Sequence, residues 1–397
     1  MASLDDSAPG PRRPGAFGRV AGWWGPRPLA QVAVVLLTVA LFYVLGHSIA
    51  ASMARVGISP GFDFLGRSAN FEIGEQAIAF RAGDTYARAM AVGLVNTLKV
   101  ALIGCVLATV LGVALGIAGL SGNLLLAGLV RWYVEIVRNT PLLLQLFFWI
   151  SLAQSFPPPR QALSAFDAFF LTNRGVFVPG LVVEGASAAT WGGLLLVLAG
   201  FIVGVVLPLR RSRLGIARLA ALALVASAAG LLVFRLTGAS ASFQVPALAG
   251  FNIRGGWSLS PESAALLTGL TVKFSASIAE IVRAGIESVK EGQWEAARAL
   301  GLHDGQTMRL IVLPQALRVI TPLTTSNYLD LTKDSSLAVA IGYPDLVSVV
   351  NTTANTTGQA FEALIILIAA YLTLNLVLSA LMNVYNNRVA LRGGGPA

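Results

Sequence analysis

Long apolar runs alternate along this chain with shorter polar connections. A helix needs about 20 apolar residues to cross a bilayer, and eight runs come close to or exceed that length. The pattern predicts eight membrane-spanning helices, over residues 29–49, 91–120, 132–154, 190–208, 216–236, 263–286, 317–341 and 363–385. The predicted fold is therefore an all-α integral membrane protein.

Cations are spread unevenly over the connections. They concentrate before residue 29, over 210–218 and 290–318, and after 387, whereas 342–362 holds none. Short loops rich in Lys and Arg stay in the cytoplasm, so we expect both termini to be cytoplasmic. An Arg-rich start before an apolar run can also be a signal peptide, but this run is longer than a usual signal core. We therefore expect a retained first helix.

Composition agrees with a membrane protein. Hydrophobic residues make up 55% of the chain and charged residues 12%, whereas soluble domains carry about a quarter charged residues. The net charge of +9 is not clustered with aromatic residues, as a nucleic-acid surface would need. Cys105 is the single cysteine, and neither His47 nor His303 has a second ligand at metal-binding spacing. We expect membrane lipid as a partner, and neither nucleic acid nor a metal.

Prolines and small residues divide the runs into segments. Gly112 and Gly116 allow close packing of the second helix, and Pro157 to Pro159 end the third, since proline cannot continue a helix. The block that follows contains its own transmembrane hairpin, and without it and the first helix five core helices remain. The predicted segments are a cytoplasmic tail (1–28), an extra helix (29–50), an N-terminal core segment of two helices (87–155), the insertion (156–261), a C-terminal core segment (262–387) and a second cytoplasmic tail (388–397).

The cytoplasmic connection over 287–314 contains one short predicted helix. Residues 293–300 are good helix formers without β-branched side chains. Gly292 precedes them, and Gly301 follows at the position of a helix-ending glycine in the left-handed conformation. Asp304 is then expected to cap the next helix.

Two interpretations of this short helix stay open on the pattern alone. Its predicted apolar and polar faces consist of Ala296, Ala297 and Leu300 on one side and of Gln293, Glu295 and Arg298 on the other. An amphipathic helix can rest on the lipid surface, where Lys and large apolar residues are usual. Alanines instead suit the close approach of a partner protein.

The same connection resembles the EAA loop of bacterial ABC importer permeases. The residues that carry this resemblance are Glu295, Ala296, Ala297, Gly301, Ile311, Leu313 and Pro314. The flanking stretches 137–142, 279–286 and 333–337 are similar to the polar amino-acid uptake group, which carries histidine, glutamine and general L-amino acids. This chain departs from that group at 273–276, where Lys-Phe-Ser-Ala replaces Tyr-Thr-Ala-Ala.

The resemblance implies a fold, a function and partners. The five core helices would form a type I ABC importer permease in the bacterial inner membrane. The motif residues would couple it to a cytoplasmic ABC ATPase dimer that holds ATP and magnesium, so this chain itself would bind no cofactor and would not be an enzyme. A periplasmic amino-acid-binding protein would deliver polar or general L-amino acids. The extra helix and the insertion resemble the larger permease of broad-specificity systems, which pairs with a second, homologous permease subunit.

Ionisable residues inside the runs are candidates for contact with the solute. Charges in a bilayer are costly, so they face a cavity or a partner. Those that qualify are Lys99, Lys273, Asp330, Lys333 and Asp334. Four others nearer the inner ends are expected to form structural ion pairs: Glu135, Arg138, Glu280 and Arg283.

Each substrate-pathway candidate keeps two interpretations. Lys333 and Asp334, beside Ser335, either pair with each other or offer a zwitterionic amino acid one cation and one anion. Gln145 is either an uncharged ligand or a core residue. Lys273 either extends its ammonium group towards the outer surface or attracts a solute carboxylate.

Two other classes of membrane protein compete with an ABC permease. No G-x-x-x-x-G-K-[ST] loop occurs in the sequence, so this chain is not itself the ATPase. A secondary transporter would show two similar halves, and a membrane-embedded enzyme would need a catalytic constellation; the sequence contains neither pattern. Solute uptake that stops without a partner ATPase separates the permease from the secondary transporter.

Overall fold

Helices dominate the described part of the chain. The computed structural model describes residues 28–55, 57, 61–184, 190, 192, 193, 196, 197 and 213–390. Its helices are α1 (Pro28–Arg55), α2 (Tyr86–Gly119), α3 (Leu124–Asn139), α4 (Leu142–Gln154), α5 (Arg213–Leu236), α6 (Pro261–Glu287), α7 (Glu291–Ala299), α8 (Asp304–Thr307), α9 (Leu313–Asp334), α10 (Leu346–Thr357) and α11 (Ala360–Ala390). Tighter or wider turns are the 3-10 segments Asp63–Gly66, Pro159–Gln161 and Ser335–Ile341, and the π-helical segment Met308–Val312.

Four described helices are each long and apolar enough to cross a membrane: α1, α2, α6 and α11. Two further pairs of helical segments are long and apolar enough when taken together: α3 with α4 at a bend of 105°, and Asp304–Ile341 with α10 at a bend of 51°. The described residues therefore hold four to six candidate spans, and the total of eight stays a prediction. The predicted span over 190–208 lies almost wholly outside the described residues, while that over 216–236 corresponds to α5, whose apolar part is Ala221–Leu236.

The predicted third span, 132–154, is wrong as a single helix. It consists of α3 and α4, which meet at Thr140 and Pro141. Thr140 is extended (φ −93°, ψ 128°), because the ring of a following proline disfavours the helical conformation. Pro141 also lacks the N–H that would continue the helical ladder. The length of the apolar run alone does not reveal this break, since the sequence after Pro141 remains hydrophobic.

The centre of the described part is the contact between α2 and α6. A Cβ atom on Gly112 would lie 2.7 Å from Ile278 Cβ, and one on Gly116 would lie 2.8 Å from the backbone oxygen of Ala279. Only glycine permits this approach, so the small-residue pattern predicted in the second span is confirmed as a packing surface. The fully buried Leu270 and Leu146 continue the same core towards α4.

The insertion is not purely helical, which corrects the all-α prediction. Eight short strands occur in the described residues: β1 (Leu163–Ala165), β2 (Phe169–Thr172), β3 (Gly175–Val178), β4 (Gly180–Glu184), β5 (Ser240–Gln244), β6 (Ala247–Ala249), β7 (Asn252–Arg254) and β8 (Trp257–Leu259). They pair antiparallel as β1-β2-β3-β8, β4-β5 and β6-β7. Strands of three to five residues lie below the length that an apolar-run search detects, although their β-branched and aromatic residues carried a signal.

Lys99, one of the candidate intramembrane cations, belongs to a set of hydrogen bonds and an ion pair in the first half of α2. Its Nζ atom lies 2.6 Å from Glu75 Oε1, and Glu75 Oε2 accepts from Ser260 Oγ at 2.6 Å. The fully buried Asn96 donates to the backbone oxygens of Glu75 (2.8 Å) and Pro344 (2.9 Å). These bonds hold the segment before α2 against α6 and the approach to α10.

Candidate functional site

The short helix predicted within 287–314 is present as α7, and its predicted end at Gly301 is confirmed. Gly301 is left-handed (φ 72°). Its N–H donates to Arg298 O at 2.9 Å, and the N–H of Leu302 donates to Ala297 O at 3.1 Å. This pair of bonds is the Schellman arrangement, which satisfies the last carbonyls of the helix.

The apolar residues of α7 do not share one face, which corrects the predicted grouping. Ala297 is fully buried and Trp294 half-buried, whereas Ala296 is exposed and Leu300 is 77% exposed. Trp294 and Ala297 are three residues apart and lie on the covered side of α7, whereas Ala296 and Leu300 are four apart and lie on an uncovered side. Ala297 therefore packs α7 against the rest of the described structure. Glu295, Ala296 and Leu300 lie on accessible positions, and we call these three residues the outward face of α7.

The cap of the following helix is His303 instead of the predicted Asp304. The N–H of Gln306 donates to His303 Nδ1 at 3.4 Å, and the N–H of His303 donates to Gln306 Oε1 at 3.3 Å. This reciprocal pattern is a capping box, with Asp304 as the first helical residue. An imidazole nitrogen serves here as the acceptor that a Ser or Asp oxygen usually provides.

The remaining motif residues lie where α8 passes into α9. Ile311 is half-buried within the π-helical segment, and Leu313 and Pro314 begin α9 with exposed side chains. Pro314 cannot donate a backbone hydrogen bond, and the π-helical segment lies directly before it. The side chain of Gln315 then donates to Ile311 O at 2.9 Å and to Gln293 Oε1 at 3.4 Å. A side-chain bond thus joins α7 to α9.

Charged residues occupy an exposed face of α9. Lys333 Nζ lies 3.4 Å from Asp330 Oδ1, with side chains that are 56% and 61% exposed. Asp334 is half-buried and forms no salt bridge within the described residues. The internal pair of Lys333 with Asp334 is therefore wrong, and Lys333 pairs instead with Asp330, one turn earlier. Adjacent side chains on a helix diverge, whereas residues three apart are neighbours. Ser335 is buried and donates to Thr332 O at 2.8 Å.

Gln145 and Lys273 meet at the break between α3 and α4. Lys273 Nζ donates to the backbone oxygens of Arg138 (2.9 Å), Thr140 (3.3 Å) and Val137 (3.4 Å). Gln145 Nε2 donates to Val137 O and Thr140 O, both at 3.1 Å. Gln145 is buried, and its Oε1 atom has no hydrogen-bond partner among the described residues.

One of the two ion pairs expected near the inner ends is present. Arg283 contacts both carboxylate oxygens of Glu280, at 2.6 and 3.1 Å, and also Glu287. Glu135 and Arg138 form no salt bridge within the described residues. They line a cavity of about 500 Å³ between α2, α3 and α6, together with Arg131, Asn139, Glu280 and Arg283. The sequence pattern did not identify this cavity, because its charges come from separate helices.

Residues 256–391 match the family described as "Binding-protein-dependent transport system inner membrane component". The chain is 44% identical over 377 residues to the putative amino-acid ABC transporter permease protein YhdX of Escherichia coli, covering 91% of this chain and 94% of the relative. It is 40% identical over 365 residues to the general L-amino acid transport system permease protein AapQ of Rhizobium johnstonii, covering 91% of each.

A solved structure with a similar chain is the crystal structure of an amino acid ABC transporter with histidines. The match covers 76% of this chain and 95% of that chain, with 22% identity and a TM-score of 0.46. The sequence relatives decide the family, because two of them align with nine-tenths of this chain at 40% identity or more. The chain therefore belongs to the family of binding-protein-dependent transport system inner membrane components, among its amino-acid ABC transporter permeases.

Proposed function

We propose that this chain is the membrane-spanning subunit of an importer that moves polar or general L-amino acids into the bacterial cytoplasm. The observation that carries the proposal is α7, a helix anchored by the buried Ala297 while Glu295 and Ala296 stay exposed. A small outward face on a helix tied to a membrane span suits the docking of another protein. The amino-acid class is supported by the relatives, whose names are those of amino-acid permeases.

The partners follow from this role. A cytoplasmic ABC ATPase dimer would bind ATP and magnesium and receive the outward face of α7, together with Gly301 and the start of α9. A periplasmic binding protein would deliver the amino acid to the opposite side. The second permease subunit would be a homologous partner chain. In this arrangement both termini are cytoplasmic, the chain spans the inner membrane eight times, five helices form a type I core, and residues 156–261 are an insertion.

The proposed solute path runs along the charged face of α9. Exposed Asp330 and Lys333 are costly against lipid, by several kcal/mol for a charge at the bilayer centre. They are stable if this face borders a water-filled path or the second permease. A zwitterionic amino acid could then exchange with the internal pair, its carboxylate binding Lys333 and its ammonium binding Asp330 or Asp334. Ser335 does not face the proposed path; it is buried and stabilises the end of α9 by donating a hydrogen bond to Thr332 O.

The coupling of transport to α9 would begin at α7. When the ATPase subunits close, a force on α7 would reach α9 through the π-helical segment Met308–Val312, which α7 contacts, and through the bond between Gln293 and Gln315. The charged face lies on the same helix, about four turns further along, since a helix rises about 1.5 Å per residue. A displacement of α7 would therefore move the charged face of α9 and change from which side of the membrane the solute reaches it.

The test measures uptake by right-side-out membrane vesicles loaded with ATP and supplied with periplasmic extract. Vesicles with this chain should accumulate labelled glutamate, glutamine, histidine or alanine in the presence of a protonophore, and vesicles from a deletion strain should not. Uptake that requires the proton gradient and ignores ATP would contradict the proposal. Equal uptake with and without the chain would contradict it too.

A further inference from the structure

The bend between α3 and α4 leaves a specific set of backbone carbonyls without their helical partners. In a continuous helix Val137 O would accept from the N–H of residue 141, but that residue is Pro141 and has none. The last intrahelical bond at this end is from the N–H of Thr140 to Ile136 O, at 3.1 Å. An unpaired carbonyl inside a membrane costs several kcal/mol, so these oxygens need other donors.

Side chains from two other helices supply those donors. The Lys273 ammonium group has three N–H bonds, and the backbone oxygens of Val137, Arg138 and Thr140 all lie within 3.4 Å of its Nζ atom. The Gln145 amide group has two N–H bonds, and two of the same oxygens lie 3.1 Å from Nε2. The five N–H bonds therefore correspond to five contacts with three oxygens, and no oxygen accepts more than the two hydrogen bonds that a carbonyl can take. A cation is also favoured at this place by the negative end of the α3 dipole.

We infer that Lys273 and Gln145 together cap the C-terminal end of α3 and fix its break with α4, so that Lys273 is a positioning residue and not a solute ligand. A solute carboxylate could bind Lys273 only by displacing at least one backbone carbonyl. The ammonium group also does not extend towards the outer surface, because it reaches across from α6 to the end of α3. The cap therefore replaces both interpretations that the sequence left open for this cation.

The cap has a consequence for the cavity beside it. Arg138 and Asn139 are the last two residues of α3, and both line the cavity of about 500 Å³. Lys273 bonds the carbonyl of Arg138 itself. The direction in which α3 ends therefore decides where the Arg138 guanidinium meets that cavity, opposite Glu280 of α6. Loss of the cap should therefore change the part of the cavity lining that Arg138 and Asn139 form, although Lys273 itself does not line the cavity.

The first test uses thiol labelling and needs no transported solute. In a background with Cys105→Ala, the reporter Asn139→Cys is placed at the exposed end of α3 and labelled in membranes with a water-soluble maleimide. Adding Lys273→Met should change the labelling rate by about tenfold, the equivalent of about 1.4 kcal/mol, and Lys273→Arg should restore the parental rate. Thr268→Val is the matched control on α6, because within the described residues the Thr268 hydroxyl bonds only Ala264 O of its own helix. An unchanged rate in Lys273→Met would overturn the cap.

The second test measures transport and rests on the proposed function. Lys273→Met should lower the maximal uptake rate of acidic and neutral amino acids by the same factor, with KM values unchanged. A rise in KM confined to glutamate and aspartate would make Lys273 a solute ligand and overturn the inference. If Lys273→Met fails to reach the membrane, Lys273→Arg and Gln145→Glu are compared in the same two assays. Absence of amino-acid uptake by the parent protein would refute the proposed function alone, because the labelling result decides the cap independently.

The two residues should also be coupled. Lys273 and Gln145 share Val137 O and Thr140 O, so each single variant leaves one side chain bonded to those two oxygens, whereas Lys273→Met also removes the donor to Arg138 O. A double-mutant cycle with Lys273→Met and Gln145→Leu should therefore be non-additive in the labelling rate. Strict additivity would mean that the two side chains act separately, and would contradict a joint cap.

Discussion

The side chain of Gln315, on α9, donates a hydrogen bond to the side chain of Gln293, on α7, at 3.4 Å. The same nitrogen atom donates to Ile311 O at 2.9 Å, within the π-helical segment before α9. The bond lies between the surface proposed to receive an ATPase and the span proposed to carry the solute path. It provides a direct physical link for a displacement of α7.

The outward face of α7 should be sensitive to charge without affecting folding. Ala296→Asp places a carboxylate on an exposed position, so the permease should reach the membrane in normal amount while ATP-dependent uptake falls about tenfold or more, through repulsion or desolvation at the contact. Ala297→Asp is the comparison, since this side chain is fully buried and a buried unpaired charge should reduce the amount of folded protein. Membrane content is measured by immunoblot and uptake with labelled amino acids. Normal uptake by Ala296→Asp would exclude α7 as the docking helix.

Replacement of Gly301 should leave folding and membrane insertion intact but should impair the coupling of ATP hydrolysis to uptake. No atom lies within 4 Å of a Cβ built on it, and Asp accepts a left-handed backbone better than most residues. Gly301→Asp should therefore be inserted normally and lose uptake, whereas Gly301→Asn keeps a side chain of the same size without charge and should retain more. Equal uptake by both variants and the parent would show that this turn does not contact the ATPase.

Close packing between α2 and α6 should depend on the glycines of α2. Gly112→Ala puts a Cβ 2.7 Å from Ile278 Cβ and 2.8 Å from Ser275 O, and such overpacking costs about 1–3 kcal/mol. Gly128→Ala in α3 is the control, because nothing lies within 4 Å of its added Cβ and alanine favours a helix by about 1 kcal/mol. Thermal unfolding in detergent should show a lower Tm for the first variant and no decrease for the second. The reverse order would refute the packing.

The ion pair on α9 should matter for transport and hardly for stability. Exposed pairs contribute about 0–1 kcal/mol, so Lys333→Met and Asp330→Asn should leave the detergent Tm within a degree or two of the parent. If this face borders the solute path, both variants should raise KM for amino acids, and the exchange Asp330→Lys with Lys333→Asp should not restore it. Restoration by the exchanged pair would point to a structural bridge.

The eight-span topology can be tested with reporter fusions. Fusions at Arg12, Arg213, Gln293 and Arg392 should report cytoplasm, because cation-rich connections are retained there. Fusions at Arg67, Arg174, Arg254 and Thr353 should report periplasm. A periplasmic signal at Arg213 would remove the hairpin from the insertion and reduce the number of spans.

Local sequence determined the features that depend on neighbours along the chain. The length of the apolar runs located the ends of α2, α6 and α11 to within a few residues, because a bilayer imposes the length of a helix. The order of helix formers and glycines specified α7 and the left-handed Gly301. Pro141 also specified the break between α3 and α4, although a search for apolar length passed over it.

Only the tertiary structure decided which groups meet. Lys273 and Val137 are separated by 136 residues, and no spacing along the chain indicates that an ammonium group of one helix ends another. In the same way Ala297 is buried while Ala296 is exposed because neighbouring elements cover one side of α7. Hydrophobicity and helix propensity act locally and can be read from a sequence. The partner of a charge, and the side of a helix that is covered, depend on how distant segments pack.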